Sequence, residues 1–277
     1  MGATENESVK GIRALIGTFD VLGAKAIYAV GDVEETKAIV SFVREEKLDA
    51  IDRTLKRLKE HYSELANDGE RLKSLVNRTS SYLYGDTIVF VCDISTLNDT
   101  DLRFATEYFQ VMAIEIARRM FTAGIPIRGC LSTGTIASYT DHTAVIVAGK
   151  SYVDTITCSD NLEFSGVVLT EDFHKIVEDG VKVIDYPLLP QLVNLPCVVK
   201  DKERGGKTVD AWCLDWLDDT PFLQTSYVDV RQVIFDSFVA RGKRVNEGVV
   251  RKIDNTETMI RLMLTHRKEA REERGKK

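Results

Sequence analysis

The sequence predicts a layered sheet of strands alternating with helices, of the α+β or α/β kind. Three observations lead there. Short apolar runs rich in Ile, Val, Tyr and Phe recur, bounded by glycine, asparagine and aspartate, as strands are. Between two such runs, residues 101–123 place Phe104, Tyr108, Val111, Met112 and Ile116 on one side of an amphipathic helix. No internal repeat or low-complexity linker divides the 277 residues, so one domain with helical additions is the simplest organisation.

In chain order, residues 11–19 read as a strand leading to Asp20. A long helical region follows, where Leu48, Ile51, Leu55, Leu58, Tyr62 and Leu65 form a heptad seam that suits a partner helix or the same chain. Asn67-Asp68-Gly69 is a stop signal for it. Residues 80–92, with Asp86 inside, read as two strands of a hairpin. Strands are expected from Ile125, over Thr143–Ala148, Gly166–Leu169 and Val181–Ile184, with a short helix at Asp172–Glu178. Residues 226–268 are mostly helical, and the charged tail from Arg267 to Lys277 is expected to fray.

Hydrophobic residues make up 44% and charged residues 29%, ordinary globular usage. A net charge of −6 and a pI near 5.4 argue against a general nucleic-acid binder, which needs a basic face. The cysteines (Cys92, Cys130, Cys158, Cys197 and Cys213) are odd in number and form no C-x-x-C pair. With no basic-then-apolar leader, they read as reduced thiols of a cytoplasmic protein. No apolar run is long enough to span a membrane. The four histidines are scattered and read as surface or helix residues, and Trp212 and Trp216 as core. Asp154, Asp160 and Glu163 read as a solvated helix face.

Two segments share an unusual pattern: Gly17-Thr18-Phe19-Asp20-Val21-Leu22-Gly23 and Leu83-Tyr84-Gly85-Asp86-Thr87-Ile88-Val89. Each is an apolar run interrupted by one carboxylate and glycine. A carboxylate there costs free energy unless it is paired or ligates a cation. Two brought together repel, and divalent cations such as Mg²⁺ or Mn²⁺ remove the repulsion. The plain alternative is that each aspartate caps a turn. Backbone N–H groups of Leu22, Gly23 and Ala24, at a helix start after Asp20, suit phosphate oxygens. Neither a Walker loop nor a dinucleotide-binding glycine motif occurs.

Phe19-Asp20-Val21-Leu22-Gly23 and Tyr84-Gly85-Asp86-Thr87-Ile88 together resemble the two metal motifs of class III nucleotidyl cyclases. Ile125-Pro126-Ile127-Arg128-Gly129 followed by Gly134 resembles that family's next strands. Gly149–Asp154, Phe164–Leu169, Asp185-Tyr186-Pro187 and Lys252–Thr256 resemble a bacterial branch containing the Pycsar pyrimidine cyclases. The resemblance spans most of residues 11–260. It implies a ferredoxin-like α+β core, an antiparallel sheet with flanking helices, working as a homodimer. The catalytic domain would be 11–220 with a helical insertion at about 33–76, followed by a helical extension at 226–268 and a tail at 269–277.

By the same resemblance, Asp20, Asp86 and the Val21 carbonyl hold two Mn²⁺ or Mg²⁺ ions. The ribose 3′-oxygen attacks the α-phosphate of a nucleoside triphosphate and pyrophosphate leaves. Purine cyclases carry a base-selecting Lys or Glu where this chain has Tyr82. A tyrosine leaves room for a pyrimidine and offers one hydroxyl, or is simply a strand aromatic. The family's second base selector, ribose-orienting Asn and transition-state Arg fall near Ile146, Val153 and Thr157, which cannot serve. Arg128, Lys150, Arg204 and Lys207 are candidate replacement cations. The expectation is a uridylate cyclase making cyclic UMP as an antiviral second messenger. CTP as substrate, a purine cyclase, and a catalytically silent nucleotide-binding dimer are the alternatives.

Overall fold

A computed structural model describes residues 10–22, 33–34, 37, 40–45, 49, 53–54, 56, 68–140, 145–181, 192–201, 206–217, 230–239 and 245–274. The strands are β1 (Lys10–Val21), β2 (Thr79–Tyr84), β3 (Thr87–Asp93), β4 (Ile127–Thr140), β5 (Val145–Ala148), β6 (Gly166–Leu169), β7 (Leu192–Val199) and β8 (Lys207–Leu214). The helices are α1 (Asp68–Arg78), α2 (Asp99–Thr122), α3 (Lys150–Asn161), α4 (Glu171–Val181), α5 (Val230–Val239) and α6 (Glu247–Arg274). The strands form one sheet in the order β2-β3-β1-β4-β6-β8-β7, with β5 paired to β4. This is the α+β architecture expected. Its sheet is mixed, because β4 and β6 run parallel while the other pairs are antiparallel. Helix α3 lies between β4 and β6 in the chain, and a parallel pair needs such a crossover.

Side chains alternate along a strand, which sorts β1 into two faces. Leu15, Phe19 and Val21 enter the main core, with Phe104, Tyr108, Met112 and Phe121 of α2. Ile16, Thr18 and Asp20 point the other way. There, Thr18 donates to the Thr155 carbonyl (3.3 Å) and to Ser159 Oγ (3.2 Å), both on α3. Thus α2 and α3 lie on opposite faces of the sheet. Two glycines allow close packing here. A Cβ on Gly134 would stand 2.7 Å from Ser151 Cβ, so α3 could not approach β4 as it does. A Cβ on Gly129 would meet Phe19 Cδ1 at 2.6 Å and the Thr18 carbonyl oxygen at 3.1 Å. We expect Gly129→Ala to cost about 1–3 kcal/mol, the range of core overpacking. An unchanged urea midpoint would contradict this.

Several sequence expectations change. Helix α2 is enclosed on nearly all sides: Glu107, Gln110 and Glu115 are buried with its apolar residues. Asp49, a helical residue, stands 3.8 Å from Arg119 of α2. The heptad residues 48, 51, 55, 58, 62 and 65 lie outside the described residues. Asp68 opens α1, and the residues leading up to the stop expected at Asn67-Asp68-Gly69 lie outside the described residues. Val181 ends α4 and does not begin a strand, and 182–184 lie outside the described residues. The C-terminal helix runs on through Arg267 to Arg274, because Arg267 pairs with the buried Asp215. His174 is buried on α4, its ring stacked 4.0 Å from Trp212, and Trp216 is core. The five cysteines are free thiols. Among the described residues, no helix is long and apolar enough to cross a membrane.

Candidate active site

Asp20 stands one residue before the end of β1, opposite Thr87 of β3 on one side and Arg128 of β4 on the other. Residues opposed across an antiparallel ladder share a face. All three side chains therefore meet on the α3 side of the sheet. Asp20 is only 9% exposed, so its charge needs partners. Its Oδ1 accepts from Thr87 Oγ1 at 3.2 Å. Its Oδ2 accepts from Arg128 Nε at 2.9 Å and Nη2 at 2.6 Å.

Asp86 reaches the same point from a turn. Gly85 and Asp86 alone connect β2 to β3, and Gly85 has φ +61°, the left-handed conformation that glycine favours. The turn brings the Asp86 carboxyl close enough to Asp20 for their charges to interact. Burial first, and then the Asp20 charge, push the Asp86 carboxyl up to about 6. Two aspartates separated in sequence thus converge on one site, where their negative charges repel. That is the electrostatic strain a divalent cation relieves. The donors fit a hard cation as carboxylate oxygens. Among the described residues, no cluster of three or more His, Cys, Asp or Glu surrounds them. Further ligands would come from backbone, water or substrate oxygens.

Arg128 is fastened beyond Asp20. Its Nη2 also donates to Asp160 Oδ1 at 2.8 Å, and its Nη1 to the carbonyls of Asp160 and of Leu162, the latter at 3.3 Å. Lys200, after β7, shares the Asp160 carbonyl through its Nζ. Burial and the Arg128 charge lower the Lys200 ammonium below its ordinary value. Asp160 and Lys200 are the participants the sequence reading missed. Asp160 falls on a helix whose polar residues looked uniformly solvated, and nothing around Lys200 distinguishes it. Glu163 also departs from the solvated-face reading. It lies past the end of α3, is 3% exposed, and has Arg251 Nε 3.4 Å from its carboxylate.

The other expected residues divide. Val21 closes β1 opposite Ile127 with its side chain in the core. The Leu22 N–H donates to the Pro126 carbonyl at 2.9 Å, so this amide is not presented to a phosphate as expected. Gly23, Ala24 and Arg204 lie outside the described residues. Lys150 is exposed and pairs with Asp154 one turn along α3. It lies ten residues from Asp160, about 15 Å at helical rise, so it belongs to the far end of that helix. Lys207 opens β8, exposed, opposite Val199. Tyr82 is half-buried on β2, on the same face as Asp20, against a small cluster that includes Ile16, Val89, Val91 and Tyr152. Its ring centre is 6.3 Å from that of Tyr84.

No protein-family model matches the sequence, and no curated protein matches it. Solved structures do. The guanylate cyclase domain of RhGC from Catenaria anguillulae, in complex with GTP, is 14% identical with a TM-score of 0.47, over 74% of this chain and 97% of that one. The monomeric guanylyl cyclase domain of RhoGC from the aquatic fungus Blastocladiella emersonii is 12% identical with a TM-score of 0.47, over 74% and 96%. The adenylyl cyclase CyaB from P. aeruginosa is 13% identical with a TM-score of 0.45, over 75% and 95%. It is to guanylyl and adenylyl cyclase domains, then, that this α+β chain is similar in fold.

Proposed function

We propose that the protein is a divalent-metal-dependent nucleotide cyclase, and specifically one that converts UTP to cyclic UMP and pyrophosphate as an antiviral second messenger. The observation that carries the cyclase reading is the convergence of buried Asp20 and half-exposed Asp86 on one point, beside a fastened arginine. Asp20 and Asp86, with the Val21 carbonyl, would hold two Mn²⁺ or Mg²⁺ ions. Bound there, the cations would lower the pKa of the ribose 3′-hydroxyl and neutralise charge on the triphosphate. The 3′-oxygen attacks the α-phosphorus, the bond to the β-phosphate oxygen breaks, and the hydroxyl proton passes to solvent. Arg128, retained by Asp160 and the Leu162 carbonyl when a cation takes its place at Asp20, turns its positive charge toward the phosphates.

The pyrimidine choice rests on Tyr82 in place of a purine-selecting Lys or Glu, with CTP as the alternative substrate. Its position on the Asp20 face supports a base contact. Tyr82→Ala should lower kcat/KM for the preferred pyrimidine by about tenfold or more, the loss expected for a base-contacting polar group, with little change in Tm. An unchanged substrate profile would remove Tyr82 from base selection. A homodimer is part of this reading, as the resemblance of the metal motifs implies.

The direct Arg128–Asp20 pair favours a second reading, a silent nucleotide-binding module in which arginine permanently takes the place of metal. One experiment separates the possibilities: incubation with Mn²⁺ and each ribonucleoside triphosphate, products identified by mass spectrometry. Cyclic UMP supports the proposal, and cyclic CMP its CTP form. Cyclic AMP or GMP replaces it with a purine cyclase, and no turnover leaves the silent module.

A further inference from the structure

We infer that helix α6 positions the proposed active site, acting through Asn255 and Thr256 on the segment that holds Arg128. The segment is residues 160–165, from the last residues of α3 to the start of β6. On one side it carries the Asp160 carboxylate and the Asp160 and Leu162 carbonyls, three of the acceptors that hold Arg128. On the other side α6 grips it. Asn255 Nδ2 donates to the Glu163 carbonyl at 3.0 Å, and the Ser165 N–H donates to Thr256 Oγ1 at 2.9 Å. Thr256 is fully buried and donates in turn to the Lys252 carbonyl at 2.7 Å, which sets its hydroxyl. Ser165 Oγ donates to the carbonyl of Ile127, the residue before Arg128, at 2.9 Å.

Asp160 and Asn161 end α3, and the next residues are bridged to β7, the Glu163 N–H donating to the Val198 carbonyl at 3.0 Å and the Lys200 N–H to the Asn161 carbonyl at 2.7 Å; beyond these backbone bonds, the side-chain bonds from α6 set the segment's place. Here those bonds run from a helix outside the sheet to the guanidinium that contacts Asp20. Asn255 and Thr256 do not reach Asp20; they are positioning residues. Releasing them leaves the segment held by α3 and β7 alone, which widens the range over which the Leu162 carbonyl, and with it Arg128, moves relative to Asp20. Only the kinetic part of the inference rests on the cyclase reading; the geometric part stands on these bonds alone.

The test is the full-length double variant Asn255→Ala, Thr256→Val, with the triphosphate the wild type turns over and saturating Mn²⁺. We expect KM to rise about tenfold or more, the scale of lost supporting interactions, with kcat changed far less. We also expect the Arg128 Nε–H signal in ¹⁵N spectra to exchange about tenfold faster than in the wild type. Thr256→Ser, which keeps the hydroxyl, restores both readouts, and Arg261→Ala, on the exposed side of α6, changes neither. A folded double variant whose KM and Arg128 exchange match the wild type overturns the inference. Should the double variant not fold, Asn255→Ala alone, which removes a single bond, is judged by the same readouts. If the wild type turns over no triphosphate, the cyclase reading fails. Arg128 exchange then decides the positioning role by itself.

Discussion

Asp86→Ala is expected to abolish turnover, by about a thousandfold or more, since a carboxylate holding a catalytic cation contributes several kcal/mol to the transition state. The fold should survive, because Asp86 occupies a half-exposed turn and makes no core contact. Product formation by the four-nucleotide assay, alongside circular dichroism, checks both halves. Retained activity would take Asp86 out of the metal site. A companion effect appears without metal. The folded-state pKa of Asp86 is raised, so its neutral form is favoured and stability is lost as pH rises from about 4 through about 6. Asp86→Asn removes that loss. We expect the metal-free variant to be more stable than the wild type at pH 7.5, by on the order of 1 kcal/mol given solvent screening of a half-exposed group. The two should converge below pH 4. A variant equal to the wild type across this range would mean that Asp20 and Asp86 do not interact.

Arg128→Ala should be the most destabilising single change at the site. It leaves Asp20, nearly buried, without its countercharge, at a cost of about 3–5 kcal/mol for breaking a buried pair. Metal distinguishes a structural salt bridge from a cation site. In the wild type an added Mn²⁺ must displace the guanidinium from Asp20 Oδ2; in the variant it finds the carboxylate open. Mn²⁺ should therefore raise the Tm of Arg128→Ala more than that of the wild type, recovering about 2–3 kcal/mol at a hundredfold excess over its Kd. Thermal unfolding with and without Mn²⁺ gives the comparison. No metal-dependent shift in either protein would mean that Asp20 serves Arg128 alone.

Much of the frame was legible in the residues. Strand β1, the β2–β3 hairpin, α2 and the short β6 each have a local pattern, and periodicity reports such patterns directly. The two aspartates were legible too, because a lone carboxylate inside an apolar strand is an anomaly that needs no partner to be noticed. Boundaries and environments were less so. The buried polar residues of α2 and the continuation of α6 past Arg267 depend on what packs against them, here α4 and Asp215. Glu163 looked solvated because its neighbours in sequence are polar. It is buried because α6, from the far end of the chain, covers it.

By itself the sequence determined which elements form and which side chains could carry charge into the sheet, since local propensity and alternation are properties of neighbouring residues. Only the tertiary structure decided that Asp86 comes close enough to feel the Asp20 charge, that Arg128 is claimed by Asp20 and Asp160 together, and that the Leu22 amide is already bonded to Pro126. Those are pairings between segments distant in the chain. Strand register and a few ångströms of separation settle them, and neither quantity is written in any one stretch of residues.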